Sequence, residues 1–143
     1  MKDYKKFIKD FWQGRVYVLA EAFKNFINSI IPSLNCYIKN ENYSYNIYTN
    51  NICLMILKEV ETSDEYTSSS KRIIFCINNI SYLNNITNYI KSITEIDGEH
   101  TLNINDVYLK TYAVYNVKEY IKKLTAENYN EFIINQNIDK YNL

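Results

Sequence analysis

Glycine and proline are scarce in this sequence, with two glycines and one proline among 143 residues. Such a composition excludes collagen-like chains and the disordered chains that are rich in these two residues. It also excludes the loops that cradle phosphate groups, because these need several closely spaced glycines, and neither the P-loop pattern nor the GxGxxG pattern occurs. We therefore expect no nucleotide cofactor.

Histidine and cysteine are also rare. The only histidine, His100, lies in a predicted turn, and Ser-His-Asp catalysis would need it as the base. The three cysteines, Cys36, Cys53 and Cys76, form no CxxC pair, and each lies in an apolar or alternating segment. This pattern is typical of reduced, mostly buried thiols in a cytoplasmic protein. The sequence thus predicts no catalytic residue, no metal site and no cofactor.

Net charge is absent as well, since 16 basic residues balance 16 acidic ones. With only two arginines, this balance argues against a nucleic-acid-binding surface. No signal peptide is recognisable, and the longest uncharged run, Ile73–Ile90, contains five asparagines, which would be costly in a membrane. We therefore expect a cytoplasmic protein that binds neither nucleic acid nor membranes.

Asparagine, isoleucine, tyrosine and lysine are in excess and together make up 71 of the 143 residues. All four have AT-rich codons, so part of the bias reflects the genome. With 47% hydrophobic residues the chain can still build a core. Its length is about that of one domain, so we expect a single domain over residues 1–143.

Hydrophobic periodicity divides the chain into helices and strands. Apolar residues at spacings of three and four predict a long helix over residues 2–31, which Pro32 ends. From residue 34 to 60 the period changes to two, which is typical of strands. Two uninterrupted apolar runs, Ile52–Leu57 and Ile73–Ile77, have the composition of central strands.

The second half of the chain predicts helices on either side of further strands. Asn79 is a candidate N-cap for a middle helix, and Gly98 is its candidate stop. Two more strands are expected at Leu102–Ile104 and Val107–Tyr115, and two C-terminal helices are expected after Asn116 and Thr125. The order predicts an α+β fold: one mainly antiparallel sheet of about five strands, with a long N-terminal helix, a middle helix and one or two C-terminal helices packed on one face.

Two clusters of carboxylates lie in segments predicted to be loops, Glu59–Ser70 and the residues around Gly98. Residues 39–70 carry a net charge of −3 and residues 95–107 a net charge of −4, so the neutral total conceals acidic zones. Because binding residues concentrate in loops, these carboxylates are candidate partner-binding residues. They are Glu59, Glu61, Asp64, Glu65, Glu95, Asp97 and Glu99.

Tyrosines on the predicted strands form a second candidate surface. Tyrosine is frequent at the energetic centres of protein interfaces, although the codon bias already raises its number here. The strand tyrosines are Tyr37, Tyr43, Tyr45, Tyr48, Tyr108, Tyr112 and Tyr115.

The missing cofactor motifs and the acidic segments together favour a protein without chemistry of its own. Acidic groups can occlude the phosphate-binding cleft of a basic toxin. We therefore expect an inhibitor whose partner is a protein: an immunity protein that neutralises a cognate bacterial toxin, such as a nuclease toxin of a contact-dependent inhibition system. Two alternatives stay open, a viral or phage accessory protein that blocks a host defence protein, and a small enzyme that uses carboxylates on an unfamiliar scaffold.

Overall fold

A six-stranded antiparallel sheet and four α-helices make up the part of the chain that this computed structural model describes, residues 4–41, 44–64, 67–94, 96–104 and 107–141. The strands are β1 (Tyr37–Glu41), β2 (Ser44–Thr49), β3 (Ile52–Asp64), β4 (Thr67–Ile77), β5 (Ile96–Ile104) and β6 (Val107–Val114). The helices are α1 (Tyr4–Ile30), α2 (Asn84–Ile93), α3 (Val117–Lys122) and α4 (Ala126–Tyr141). The predicted α+β class is confirmed, with six strands where about five were expected.

The long N-terminal helix α1 follows its predicted bounds closely. Its buried residues recur at spacings of three and four, so that they share one face. They are Val16, Leu19, Ala20, Phe23, Phe26 and Ile27. Gly14 lies within the helix without interrupting it. Pro32 begins a short 3-10 turn, Pro32–Leu34, because proline cannot donate the hydrogen bond that another helical turn requires.

The strands are arranged in the order β1-β2-β3-β4-β6-β5, and every neighbouring pair is antiparallel. The two apolar runs of the sequence, Ile52–Leu57 and Ile73–Ile77, lie in β3 and β4 at the centre of the sheet, as predicted. The two edges are β1 and β5. Helix α2 connects β4 to the far edge, and β6 then returns between β4 and β5.

One face of the sheet is covered by the helices and contains the main core. Leu57, Phe75 and Tyr112 lie in one row across β3, β4 and β6. The ring of Phe23 from α1 lies 5.0 Å from that of Phe75, and the ring of Tyr120 from α3 lies 5.8 Å from that of Phe23. Helices α2 and α4 and the residues just before them join the same cluster through Leu83, Ile86, Tyr89, Ile90, Leu124 and Tyr129, together with the half-buried Phe132 and Ile133. Interlocked rings of this kind hold all four helices on a single side.

The opposite side, which we call the helix-free face, consists of the alternate strand residues. Its described side chains are Tyr37, Lys39, Glu41, Ser44, Asn46, Tyr48, Cys53, Ile56, Lys58, Arg72, Ile74, Cys76, Thr111 and Ala113. Three of them, Ile74, Cys76 and Ala113, form a small separate apolar cluster against Ile56. No described helical residue belongs to this cluster, so the two faces of the sheet are built differently.

The middle helix begins later and ends earlier than its predicted cap and stop. A 3-10 turn, Ser81–Leu83, precedes Asn84, so the prediction that Asn79 caps the helix is wrong. The prediction that Gly98 stops it is also wrong, because the backbone becomes extended at Thr94. The hydroxyl of Thr94 donates to the carbonyl of Ile90 at 2.7 Å and so satisfies one of the last helical carbonyls.

The two C-terminal caps are as predicted. The side chain of Asn116 accepts a hydrogen bond from the Glu119 amide at 3.2 Å, and α3 begins at the next residue. The hydroxyl of Thr125 accepts one from the Asn128 amide at 3.1 Å, and α4 begins at Ala126. Side chains that can accept from a free helical amide are the physical signal here, and that signal is local to each helix.

The described parts of both predicted acidic loops are strands, so these two loop predictions are wrong there. Residues Glu59–Asp64 continue β3 and pair with β4, and Gly98 and His100 lie within β5. Val60 and Thr62 in the first segment favour extended backbone. Pairing with a continuous neighbouring strand satisfies the backbone groups, and the polar side chains do not prevent this.

Candidate binding surface

The candidate site is the edge of the helix-free face, where β1 pairs with β2. Strand β1 is five residues long and lies at the edge of the sheet, where β2 is its only neighbour among the described strands. Tyr37, Lys39 and Glu41 alternate along it and therefore share the helix-free face. Tyr48 lies directly opposite Tyr37 on β2. We call these four residues the edge platform.

Two tyrosine rings and one ammonium group form the centre of the edge platform. The rings of Tyr37 and Tyr48 are stacked, with centroids 5.9 Å apart and an angle of 18° between their planes. The Nζ atom of Lys39 lies 5.1 Å from the centroid of Tyr48 and 5.8 Å from that of Tyr37, within cation–π range of both. The Tyr37 hydroxyl donates to the carbonyl of Asn50, which ties β1 to the turn between β2 and β3. The rings are therefore held in place by the protein itself.

The carboxylate of Glu41 is held by two donors. Its Oε2 atom accepts hydrogen bonds from the Tyr48 hydroxyl at 2.9 Å and from the Asn46 amide at 3.2 Å. Ser44 donates to the Oδ1 atom of Asn46 at 2.8 Å, which fixes the orientation of that amide. Burial raises the pKa of Tyr48, so its hydroxyl keeps its proton and remains a donor at neutral pH. These bonds orient Glu41 and Tyr48 before any partner is present.

A second group of polar side chains, around Arg72, lies across the sheet on the same face. The Nη1 atom of Arg72 donates to the Tyr115 hydroxyl at 3.0 Å. The Nε atom of Arg72 and the Oγ1 atom of Thr111 are buried and have no hydrogen-bond partner among the described residues. The described charges of the helix-free face are Lys39, Lys58, Arg72 and Glu41, so cations outnumber carboxylates there.

The three cysteines are free thiols in the structure, and the predicted burial is confirmed. Cys36 and Cys76 are buried and Cys53 is half-buried. Burial raises the pKa of the Cys36 and Cys53 thiols and raises that of Cys76 to about 11. All three groups therefore stay in the thiol form at neutral pH, which is the weakly nucleophilic form.

The predicted partner-binding carboxylates fall on two different strands. Glu59, Glu61 and Asp64 lie in β3, Asp97 and Glu99 lie in β5, and Glu65 and Glu95 lie outside the described residues. Strands β4 and β6 separate the two groups. Asp97 is in the same row as Leu57, three strand spacings or about 14 Å away. The structure therefore does not bring the two acidic groups together.

Within β3 the acidic residues have defined opposite partners in the ladder. Glu59 is half-buried and lies opposite Ile73, in the row that continues to Val114. Glu61 lies opposite Lys71. Opposite charges that face each other across two strands stabilise a sheet by about 0.2–1 kcal/mol.

The sequence predicts only part of the edge platform. Tyr37 and Tyr48 belong to the second candidate surface, that of the strand tyrosines, whereas Lys39 and Glu41 are not among the candidate residues. The signal was present in the alternation of Tyr37, Lys39 and Glu41, which places three interaction-prone side chains on one face. The pairing with Tyr48 cannot be derived from that alternation, because it depends on the register between two strands.

Comparison of the chain with protein-family models, with curated proteins and with solved structures finds no match in any of the three. Within the described residues, no helix has the length and apolar character needed to span a membrane. In the same part of the chain, no three histidine, cysteine or acidic side chains are grouped as metal ligands would be.

Proposed function

We propose that the protein is a non-catalytic inhibitor that binds another protein, and that it neutralises a cognate bacterial toxin in the cytoplasm as an immunity protein does. The observation that carries this proposal is the edge platform, in which the exposed Tyr37 and Lys39 and the half-buried Glu41 and Tyr48 are held in position at an edge of the sheet. Three features of the platform favour a protein interface: its composition, the hydrogen bonds and ring contacts that hold it in position, and its place on an edge strand.

The composition of the edge platform suits a protein interface. Tyrosine is enriched among the residues that dominate binding energy, because its large ring loses little conformational entropy on binding. Tyr37 is 36% exposed and is already stacked on Tyr48. Lys39 lies beside both rings, so a carboxylate of the partner would meet a cation with an apolar surface around it. Prearranged side chains of this kind reduce the entropy that binding would otherwise cost.

The position of the platform on an edge strand adds backbone recognition. The outer side of β1 carries N–H and C=O groups that no strand of this sheet pairs with. A partner segment in extended conformation can add to such an edge and form main-chain hydrogen bonds, while side chains beside the edge select the sequence. In the proposal, Tyr37, Lys39 and Glu41 provide that selection.

The thiols support a binding role over a nucleophilic one. Each of the three has a pKa that burial raises, whereas a catalytic cysteine requires a lowered pKa. The acidic residues Glu61, Asp64, Asp97 and Glu99 are retained in the proposal as a second contact region. Their two strands would meet different parts of a basic partner.

The test begins with the reading frames that flank the gene in its genome, and a frame that encodes a toxin is taken as the partner. The toxin is expressed in a bacterium with and without this chain, and growth rescue is scored; affinity is measured by calorimetry with an inactivated toxin. The informative variants are Tyr37→Ala and Lys39→Glu. We expect Tyr37→Ala to weaken binding about 30-fold or more, the loss typical of an interface hot spot. Lys39→Glu should abolish rescue, since it reverses the charge beside both rings.

Matched controls separate a local effect from a general one. Tyr82 is 45% exposed on a 3-10 turn, and Lys91 is exposed on α2, so Tyr82→Ala and Lys91→Glu make the same chemical changes elsewhere. If the platform variants and the controls bind equally well, the platform is not the interface. If no neighbouring toxin exists and the flanking genes are viral, the toxin partner is wrong and a host defence protein takes its place.

A further inference from the structure

Helix α4 has two apolar faces, and only one of them belongs to the core. The inner face packs on α1 and α2: Tyr129 lies 6.0 Å from Phe26, and Phe132 lies 5.4 Å from Tyr89, measured between ring centroids. Ile134 and Ile138 are 58% and 50% exposed. At about 100° per residue these two isoleucines lie on the side of the helix opposite to the inner face. They therefore cannot contact the core of their own chain.

Two carboxylates lie on the same outer face as the exposed isoleucines. Glu127, Glu131, Ile134 and Ile138 follow one another at spacings of four, three and four, which aligns them along one side of a helix. All four side chains are exposed. We call this set the α4 ridge. It is an acidic and apolar strip about 17 Å long, from the 1.5 Å rise per residue.

A groove along helix α1 has the complementary chemistry. It runs along α1, first against α3 and then against the beginning of α4, and we call it the α1 groove. Its first part has a volume of about 580 Å³ and is lined by Gly14, Arg15, Val18, Val117, Lys118, Ile121 and Lys122. Its second part has a volume of about 460 Å³ and shares Val18 and Ile121 with the first. Val18 is 51% exposed, which is high for a valine beside other apolar side chains.

The rim of the α1 groove is cationic. Lys118 and Lys122 are both exposed on α3, and Arg15 lines the same part of the groove. Lys122 forms an ion pair with Glu119 at 3.1 Å, and Glu21, which lines the second part of the groove, forms one with Lys24 at 2.8 Å. Among the described residues the basic side chains at the groove therefore outnumber the carboxylates. From Gly14 to Ser29 the groove spans about 22 Å of α1, enough for the length of the α4 ridge.

We propose that the protein forms a reciprocal dimer, in which the α4 ridge of each copy occupies the α1 groove of the other. In this arrangement Ile134 and Ile138 would cover Val18 and Ile121, and Glu127 and Glu131 would face Lys118 and Lys122. Both halves of the contact are present in one chain, which is why a second copy is the occupant. In such a dimer both ridges and both grooves are occupied, so no surface is left to bind a third copy. The surface is separate from the edge platform, so the inference does not depend on the proposed inhibitor function.

The test measures the mass of the full-length protein by analytical ultracentrifugation. We expect a concentration-dependent dimer for the wild type. Reversing the ridge charges with Glu127→Lys and Glu131→Lys, or the rim charges with Lys118→Glu and Lys122→Glu, should give a monomer in each case. Mixing these two variants should restore a dimer, because each groove then meets a ridge of opposite charge. Circular dichroism and melting curves verify that each variant is folded, and all the altered side chains are exposed.

A separate double variant tests the apolar part of the contact. Ile134→Asn with Ile138→Asn should shift the equilibrium to monomer at both low and high salt, whereas the charge variants should be most effective at low salt. A wild type that stays monomeric up to about 1 mM overturns the proposal. So does a mixture of the two charge variants that remains monomeric, and so do species larger than a dimer, since they require open-ended contacts.

Discussion

The two faces of the central hairpin differ in what they contain, although the same strands build both. On the helix-covered face, Leu57, Phe75 and Tyr112 form a row of large side chains that meets the rings of α1 and α3. On the helix-free face, Ile56, Cys76 and Thr111 occupy the neighbouring row, with smaller groups and an unpartnered hydroxyl among the described residues. The comparison teaches that the stability of this fold is concentrated on one face. The other face carries a smaller apolar cluster, with polar and aromatic side chains toward its β1 edge.

The largest expected effect is a loss of unfolding free energy at Phe75, and the adjacent residue Cys76 provides the comparison between the two faces. Phe75 is completely buried against Phe23 and Tyr120, so Phe75→Ala should cost about 3–5 kcal/mol of unfolding free energy through the cavity it leaves. Cys76→Ala removes one buried atom on the opposite face and should cost only about 1 kcal/mol. Urea unfolding of both variants measures the two values. Equal losses would show that the faces contribute alike.

The pH dependence of stability provides the next test. Burial raises the pKa of Cys76 to about 11 from 9.0, so the unfolded chain releases this proton at a lower pH than the folded one. The contribution is complete below about pH 9 and is lost as pH rises toward 11. We expect a loss of up to about 1.4 kcal/mol per pH unit within this window. Urea midpoints of wild type and Cys76→Ala should converge as the pH rises, since the other groups titrate in both. Parallel curves would contradict the assignment.

A smaller effect of opposite sign is expected from Thr111. Its hydroxyl is buried and has no hydrogen-bond partner among the described residues. Thr111→Val keeps the branched shape that suits a strand and removes the unsatisfied polar atom, so it should stabilise the protein by about 1 kcal/mol. The melting temperature measures this, with Thr49→Val as the control, because the Thr49 hydroxyl donates to the Leu34 carbonyl at 2.5 Å. The control should be destabilised. A destabilised Thr111→Val would show that this hydroxyl is satisfied.

The smallest effect concerns the acidic end of β3. As part of a loop, Glu61 would be replaceable without loss of stability; as a strand residue opposite Lys71, it should contribute a cross-strand pair. A double-mutant cycle with Glu61→Ser and Lys71→Ser should give a coupling energy of about 0.2–1 kcal/mol that decreases with added salt. A coupling of zero would show that the pair lies in register without interacting.

The correct and the incorrect sequence predictions differ in the range of the interactions on which they depend. Helix α1 was predicted closely because its apolar spacing is a property of one segment and Pro32 ends it locally. The caps at Asn116 and Thr125 are equally local. The acidic segments were predicted as loops because their side chains are polar, yet they are strands because β4 and β6 supply backbone partners.

The sequence by itself determined the α+β class, the place of two apolar strands at the sheet centre and the burial of the thiols, since these follow from local periodicity and apolar composition. Only the tertiary structure decided which strand lies at the edge, which face the helices leave uncovered and which side chains meet there. Tyr37 reaches Tyr48, and Glu41 reaches Asn46, through a register between strands. Phe75 and Cys76 are neighbours in the chain and belong to different clusters. The physical reason is that strand pairing satisfies backbone groups between distant segments, and no single segment contains that information.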